Sequence, residues 1–180
     1  MSVQVVAYRA EWPIEFSRVE RQLRAALDGV PVSSIEHVGS TSVPGLAAKP
    51  ILDIDIIVER PHVRTAIAAL EAAGYVHRGD LGVTDREAFF APDADPARHV
   101  YLCVSGTLHL RNHLAVRDVL RRDAGFRERY AEVKNALADD PDMDIDTYIA
   151  QKSAVLQEML AASDLTADEK AQIFALNTAR

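Results

Sequence analysis

A chain of 180 residues with 48% hydrophobic and 26% charged residues can close one core and carry a helical appendage, which excludes disordered and fibrous classes. With 20 basic against 27 acidic residues the net charge is −7, which argues against bulk clamping of nucleic-acid phosphates and leaves room for a local basic pocket. The single cysteine, Cys103, excludes an internal disulfide and a cysteine-based zinc cluster; it reads as a buried reduced thiol, and a cytoplasmic setting is expected.

The N-terminus has no basic start followed by a long apolar run, and no later stretch approaches eighteen apolar residues, so neither a signal peptide nor a membrane span is expected. After Trp12-Pro13 the apolar positions Ile14, Phe16, Val19, Leu23 and Leu27 predict a helix over 13–28, stopped at Gly29. Ile35 to Val38 reads as a short strand, and 41–49 as a small-residue loop or short helix. Ile51 to Val58, β-branched and bounded by Pro50 and Glu59-Arg60-Pro61, is the strongest strand. Val63, Ile67 and Leu70 predict a helix closed by Gly74. Tyr75 to His77, Ala88 to Phe90 and Val100 to Val104 are further strands, with a turn at Asp93 to Pro96. Helices follow over 110–121, 124–138 and 147–162, with a short one from near Ala167. The plan is an α/β domain over 1–162, a small mixed sheet flanked by helices with a helical C-terminal half, and a C-terminal helical extension over 163–180.

Asp53 and Asp55 stand two apart in the strong strand, so both leave one face while Ile54 and Ile56 leave the other. Carboxylates about 4 Å apart repel by roughly 4 kcal/mol at an effective dielectric of 20, so a positive group is expected beside them. A hard cation, Mg2+ or Mn2+, held by one or two carboxylates plus substrate phosphates meets that need and makes both aspartates candidate metal ligands and catalytic residues. Upstream, Gly39 lets the main chain approach a ligand and Ser40, Thr41 and Ser42 offer hydroxyls, a pattern suited to phosphate; Lys49 is a candidate phosphate contact.

This segment resembles the nucleotidyltransferase superfamily signature: an apolar residue, Gly, then Gly or Ser, about a dozen residues, then Asp, apolar, Asp or Glu. The longer run His37-Val38-Gly39-Ser40-Thr41-Ser42-Val43-Pro44-Gly45-Leu46-Ala47-Ala48-Lys49-Pro50-Ile51-Leu52-Asp53-Ile54-Asp55 is similar to the hallmark of the GrpB family within that superfamily. Tyr8, Trp12-Pro13, Arg111 to Leu114, Arg117-Asp118, Tyr148 and Lys152 extend the resemblance over roughly residues 5 to 160. It implies a nucleotidyltransferase-like fold, a nucleotide or other phosphorylated small molecule as partner, and a divalent cation. It also implies either nucleotidyl transfer to an acceptor or a non-catalytic nucleotide-binding or regulatory module. Fusion of some members to dephospho-coenzyme A kinase is a hint of nucleotide or cofactor metabolism. The superfamily's third carboxylate has no counterpart in His99-Val100-Tyr101-Leu102-Cys103, where His99 and Tyr101 alternate onto the face the acid would occupy.

Arg86, Arg111 and His113, with His99 and Tyr101, are candidate pocket-lining residues. His109 and His113 have zinc-compatible spacing, but Leu110-Arg111-Asn112 between them lacks the glutamate of the peptidase motif. A second Asp-Ile-Asp at Asp144 to Asp146 precedes a helical pattern and reads as helix-capping carboxylates, and Ile149, Leu156, Met159 and Leu160 read as packing. An RNA-directed activity is disfavoured by the acidic charge and by the absence of a basic stripe.

Overall fold

The computed structural model describes residues 5–139 and 154–178. Asp144 to Asp146, Tyr148, Ile149 and Lys152 lie outside them. Helix α1 (Trp12–Ala26) precedes β1 (Ser34–Val38), a single 3-10 turn (Ser40–Ser42) and β2 (Leu52–Val58). Then come α2 (Val63–Ala72), β3 (Val76–His77), β4 (Arg86–Phe90) and β5 (Arg98–Val104). Helices α3 (Leu108–Arg122), α4 (Ala124–Asp139), α5 (described over 154–161) and α6 (Ala167–Thr178) complete the chain. Among the described residues no helix is long and apolar enough to cross a membrane.

The sheet runs β1-β2-β5-β4-β3, with β2 and β5 parallel and the other neighbours antiparallel. A parallel pair cannot be joined by a hairpin, so the chain between β2 and β5 makes a crossover that carries α2 and adds β3 and β4 at the far edge. One sheet face presents Ile35, Ile54, Ile56, Val100 and Leu102, which pack with Val19 and Leu23 of α1 and Ala66 and Leu70 of α2. Each of these large side chains contributes about 1.5–3 kcal/mol by leaving water. A second core of Val43, Leu46, Val119, Leu120, Tyr130 and Met159 ties α3, α4 and α5 to the segment after β1.

The expected helix over 13–28 forms, but Ile14 is 71% exposed. At 100° per residue it lies about 200° from both Trp12 and Phe16, which define the buried stripe, so Trp12 replaces it as the first core position.

His37 is buried on the core side of β1, stacked 4.8 Å from the Phe16 ring, with Nε2 3.0 Å from the Thr41 hydroxyl. Burial, followed by the nearby charge of Arg121, lowers its pKa from 6.5 to about 4. Because the folded value lies below the unfolded one, His37 favours the folded state fully above pH 6.5. That contribution is lost as pH falls toward about 4, where the unfolded chain takes the proton first. Urea titrations between these limits should show a loss on the order of 3 kcal/mol that His37→Gln largely removes. Parallel pH profiles for the two proteins would discard the assignment.

Candidate functional site

The register aligns the chemistry on the sheet face opposite α1 and α2. Across β1, β2 and β5 it places Glu36 beside Asp55, Asp53 beside His99 and Asp55 beside Tyr101, while Arg86 of β4 lies opposite Cys103. Directly opposed residues share a face, so six of these side chains and Cys103 form one polar band. Helix α3 covers part of it through Leu110, packed on Ile57 and Cys103 with Leu114 alongside.

Each aspartate meets an imidazole. His99 Nδ1 donates to Asp53 Oδ1 at 2.9 Å, and His113 Nδ1, from α3, donates to Asp55 Oδ2 at 3.1 Å. Each of the two adjacent carboxylates therefore has an imidazole N–H as hydrogen-bond donor. The hydrogen bond to Asp53 raises the His99 pKa, with burial opposing it. Asp55 is wholly buried, and its Oδ1 has no hydrogen-bond partner among the described residues. Burial and the charge of Asp55 push the neighbouring Cys103 thiol up. A buried carboxylate oxygen without a strong donor is costly, and a bound cation or a ligand's hydrogen-bond donor would satisfy it. Among the described residues no cluster of three or more His, Cys, Asp or Glu side chains is arranged to hold a metal alone. The donor set fits a hard cation that takes the aspartates and completes its shell with ligand oxygens.

The loop and the strand meet at Gly39. It adopts φ +70°, and a Cβ there would collide with Asp53 Oδ2 and stand 3.0 Å from its Cγ. The glycine thus makes room for the carboxylate itself, an intramolecular reason that the phosphate-cradle reading did not contain. The three hydroxyls differ in use. Ser42 donates to the Gly39 carbonyl at 2.6 Å and Thr41 shares a bond with His37, so both are buried in the loop's own structure. Ser40 accepts from Lys134 Nζ at 2.8 Å, and the same ammonium donates to the Ala47 carbonyl at 2.9 Å.

Arg86 places its guanidinium 4.7 Å from the Tyr101 ring centroid and keeps a buried Nε without a hydrogen-bond partner among the described residues. Burial, and secondarily Asp53, raises the Tyr101 pKa. Lys49 is exposed, and its charge reaches His99. Arg111 goes elsewhere: it pairs with Glu169 of α6. Two residues before His113 on a helix, it is rotated about 200° from the stripe that faces the aspartates.

Sequence reasoning gave no role to Glu36 or Lys134. Glu36 is a third carboxylate on the polar face, on β1 rather than β5, and Arg117 Nη1 donates to it at 2.7 Å. It faces Asp55 only through the antiparallel register of β1 with β2, which the sequence does not print. Lys134 lies 81 residues beyond Asp53 in a helix whose pattern marks only its apolar face, so nothing local pointed to it.

The GrpB protein profile matches residues 2–162. The chain belongs to the GrpB family. A UPF0157 protein of Halalkalibacterium halodurans is 35% identical over 167 residues, 92% of this chain and 84% of that protein. A dephospho-CoA kinase of Mycolicibacterium paratuberculosis is 28% identical over 176 residues, 83% of this chain and 43% of that one. Among solved structures, the conserved protein GrpB from Enterococcus faecalis superposes with a TM-score of 0.74 at 32% identity, covering 88% of this chain and 98% of the other. A mutant Cid1 poly(U) polymerase bound to MgATP gives 0.54 at 12% identity over 74% of this chain and 44% of its own. These likenesses show a nucleotidyltransferase-like fold.

Proposed function

We propose that the chain binds a nucleotide or another phosphorylated small molecule together with Mg2+ or Mn2+ at the Asp53–Asp55 face, and transfers a nucleotidyl group to an acceptor. The observation that carries this reading is the contact between Gly39 and Asp53. It joins the small-residue loop and the carboxylate pair, fourteen positions apart, into one site. Asp53 and Asp55 would hold the cation, whose charge when bound would neutralise the transferred phosphoryl oxygens. The Gly39–Ser42 backbone and Lys134, already beside Ser40, would receive the outgoing phosphates. His113 orients Asp55, and Arg86 with Tyr101 and His99 forms the wall available to the rest of the ligand. In the reaction an acceptor oxygen attacks the α-phosphorus, the bond to the β-phosphate oxygen breaks, pyrophosphate leaves and the acceptor proton is released. Positioning and charge neutralisation supply the catalysis.

The relative named as a dephospho-CoA kinase supports a phosphorylated cofactor or nucleotide as the ligand class, and the buried thiol of Cys103 supports a reducing, cytoplasmic setting. A non-catalytic binding module is the second reading. It is favoured by His99 and Tyr101, which stand beside the aspartates on β5 where a third acid would complete the site.

Calorimetry with Mg2+ or Mn2+, alone and with nucleotides, tests the shared core of both readings. Asp53→Asn should weaken the cation at least about tenfold, because the site loses one of two charges. Equal affinity in wild type and variant would remove the cation from this face.

A further inference from the structure

A cavity of about 580 Å3 opens at the free edge of β1, bounded by α1, the loop after β1 and the junction of α3 with α4. Its volume is that of a small-molecule site. Neither Asp53 nor Asp55 lines it, whereas Arg117, Arg121 and Arg127 do. Glu36 is the one carboxylate in its wall and is held by Arg117, which also binds Asp118. Arg121 gives Nε to the Ser42 carbonyl at 3.0 Å, and Arg127 gives Nη1 to the carbonyls of Leu120 and Arg121 at the end of α3. Among the described residues neither has a carboxylate within ion-pair distance. In a chain of net charge −7, this wall carries three guanidiniums against one carboxylate, and two of the three make no ion pair among the described residues.

We propose that this cavity is a second anion site, taking a phosphorylated small molecule through Arg121 and Arg127. Guanidinium forks match phosphate oxygens in pairs, and both are anchored by carbonyls that leave other N–H groups to a ligand. Burial, with the like charge of Arg117, lowers the Arg121 pKa, a crowding that an anion relieves. Phe16, packed flat on His37, supplies an apolar wall for a ring beside the phosphate. Addition of a peptide strand is disfavoured, because Arg117 already covers the His37 carbonyl at the edge, at 3.3 Å. The cavity shares the Gly39–Ser42 loop with the aspartate site, yet its ligand is held by cations of the chain and needs no metal.

The test is calorimetry in EDTA at 0.15 M salt, with inorganic pyrophosphate and AMP as probes. One of them should bind at one site per chain. Arg121→Gln and Arg127→Gln should each weaken it at least about tenfold, as removal of a charged hydrogen bond does, while Asp53→Asn leaves it unchanged. Arg127 also caps carbonyls of α3, so melting curves accompany each variant, and Arg121 decides the matter if Arg127→Gln does not fold. No binding by wild type, equal affinity in Arg121→Gln, or equal loss in Asp53→Asn would each overturn the proposal. So would tighter binding of a ten-nucleotide oligouridylate lost in the same variants, which would make this edge a nucleic-acid contact. Failure of the cation experiment on Asp53 leaves these outcomes intact, since no metal is present.

Discussion

Asp55→Asn is expected to cut metal-dependent release of pyrophosphate from a labelled triphosphate at least about a hundredfold, the usual scale for losing one electrostatic contact in a water-excluded site. Asp55 is the stronger lever of the two aspartates because it is wholly buried while the Asp53 side chain is 36% exposed, and water screens the latter. Asparagine keeps the shape and can still bond His113, so the fold should persist and the loss should fall on chemistry. Melting temperature with and without Mg2+ and nucleotide separates the cases. A variant that melts as wild type does but gains no stability from ligand has lost the site. Unchanged turnover would take Asp55 out of the mechanism. Ligand-induced stabilisation of the wild type without pyrophosphate release, across a broad set of acceptors, would select the binding module.

Gly39→Ala should destabilise the fold by about 2–4 kcal/mol and abolish cation binding, although the glycine offers the cation no side-chain atom. Positive φ costs a residue with a side chain about 1–2 kcal/mol. The added Cβ also evicts the Asp53 carboxylate, with its bond to His99. A double-mutant cycle isolates the second cause: Asp53→Ala removes the colliding atoms, so Gly39→Ala should cost markedly less in that background. Denaturant midpoints that add without coupling would show that Gly39 serves only its own turn.

Period-two alternation in Leu52 to Val58 and the 3.6-residue spacing in α1 and α2 are local signals, and the strands and helices they mark are the ones that form. The aspartate face was readable for the same reason. What escaped was partnership across distance. His113 reaches Asp55 over 58 residues, Lys134 reaches Ser40 over 94 and Arg117 reaches Glu36 over 81. These contacts depend on how α3 and α4 lie over the sheet, which periodicity does not encode. Arg111 and His113 show the limit in two residues: two apart in one motif, they face a terminal helix and a carboxylate respectively.

The parallel pairing of β2 with β5 also orders the building of the site. As the chain emerges from the ribosome, β1 and β2 are complete by residue 58 and can pair as neighbours, carrying both acids and the glycine loop. The histidines come much later, His99 in β5 and His113 in α3, and the lysine of α4 later still. Until then neither aspartate has its imidazole partner, and the repulsion between the two carboxylates is weak only while water solvates them. Burial of Asp55 is thus tied to the long-range closure that brings its imidazole, and the carboxylate is never required to enter the interior alone.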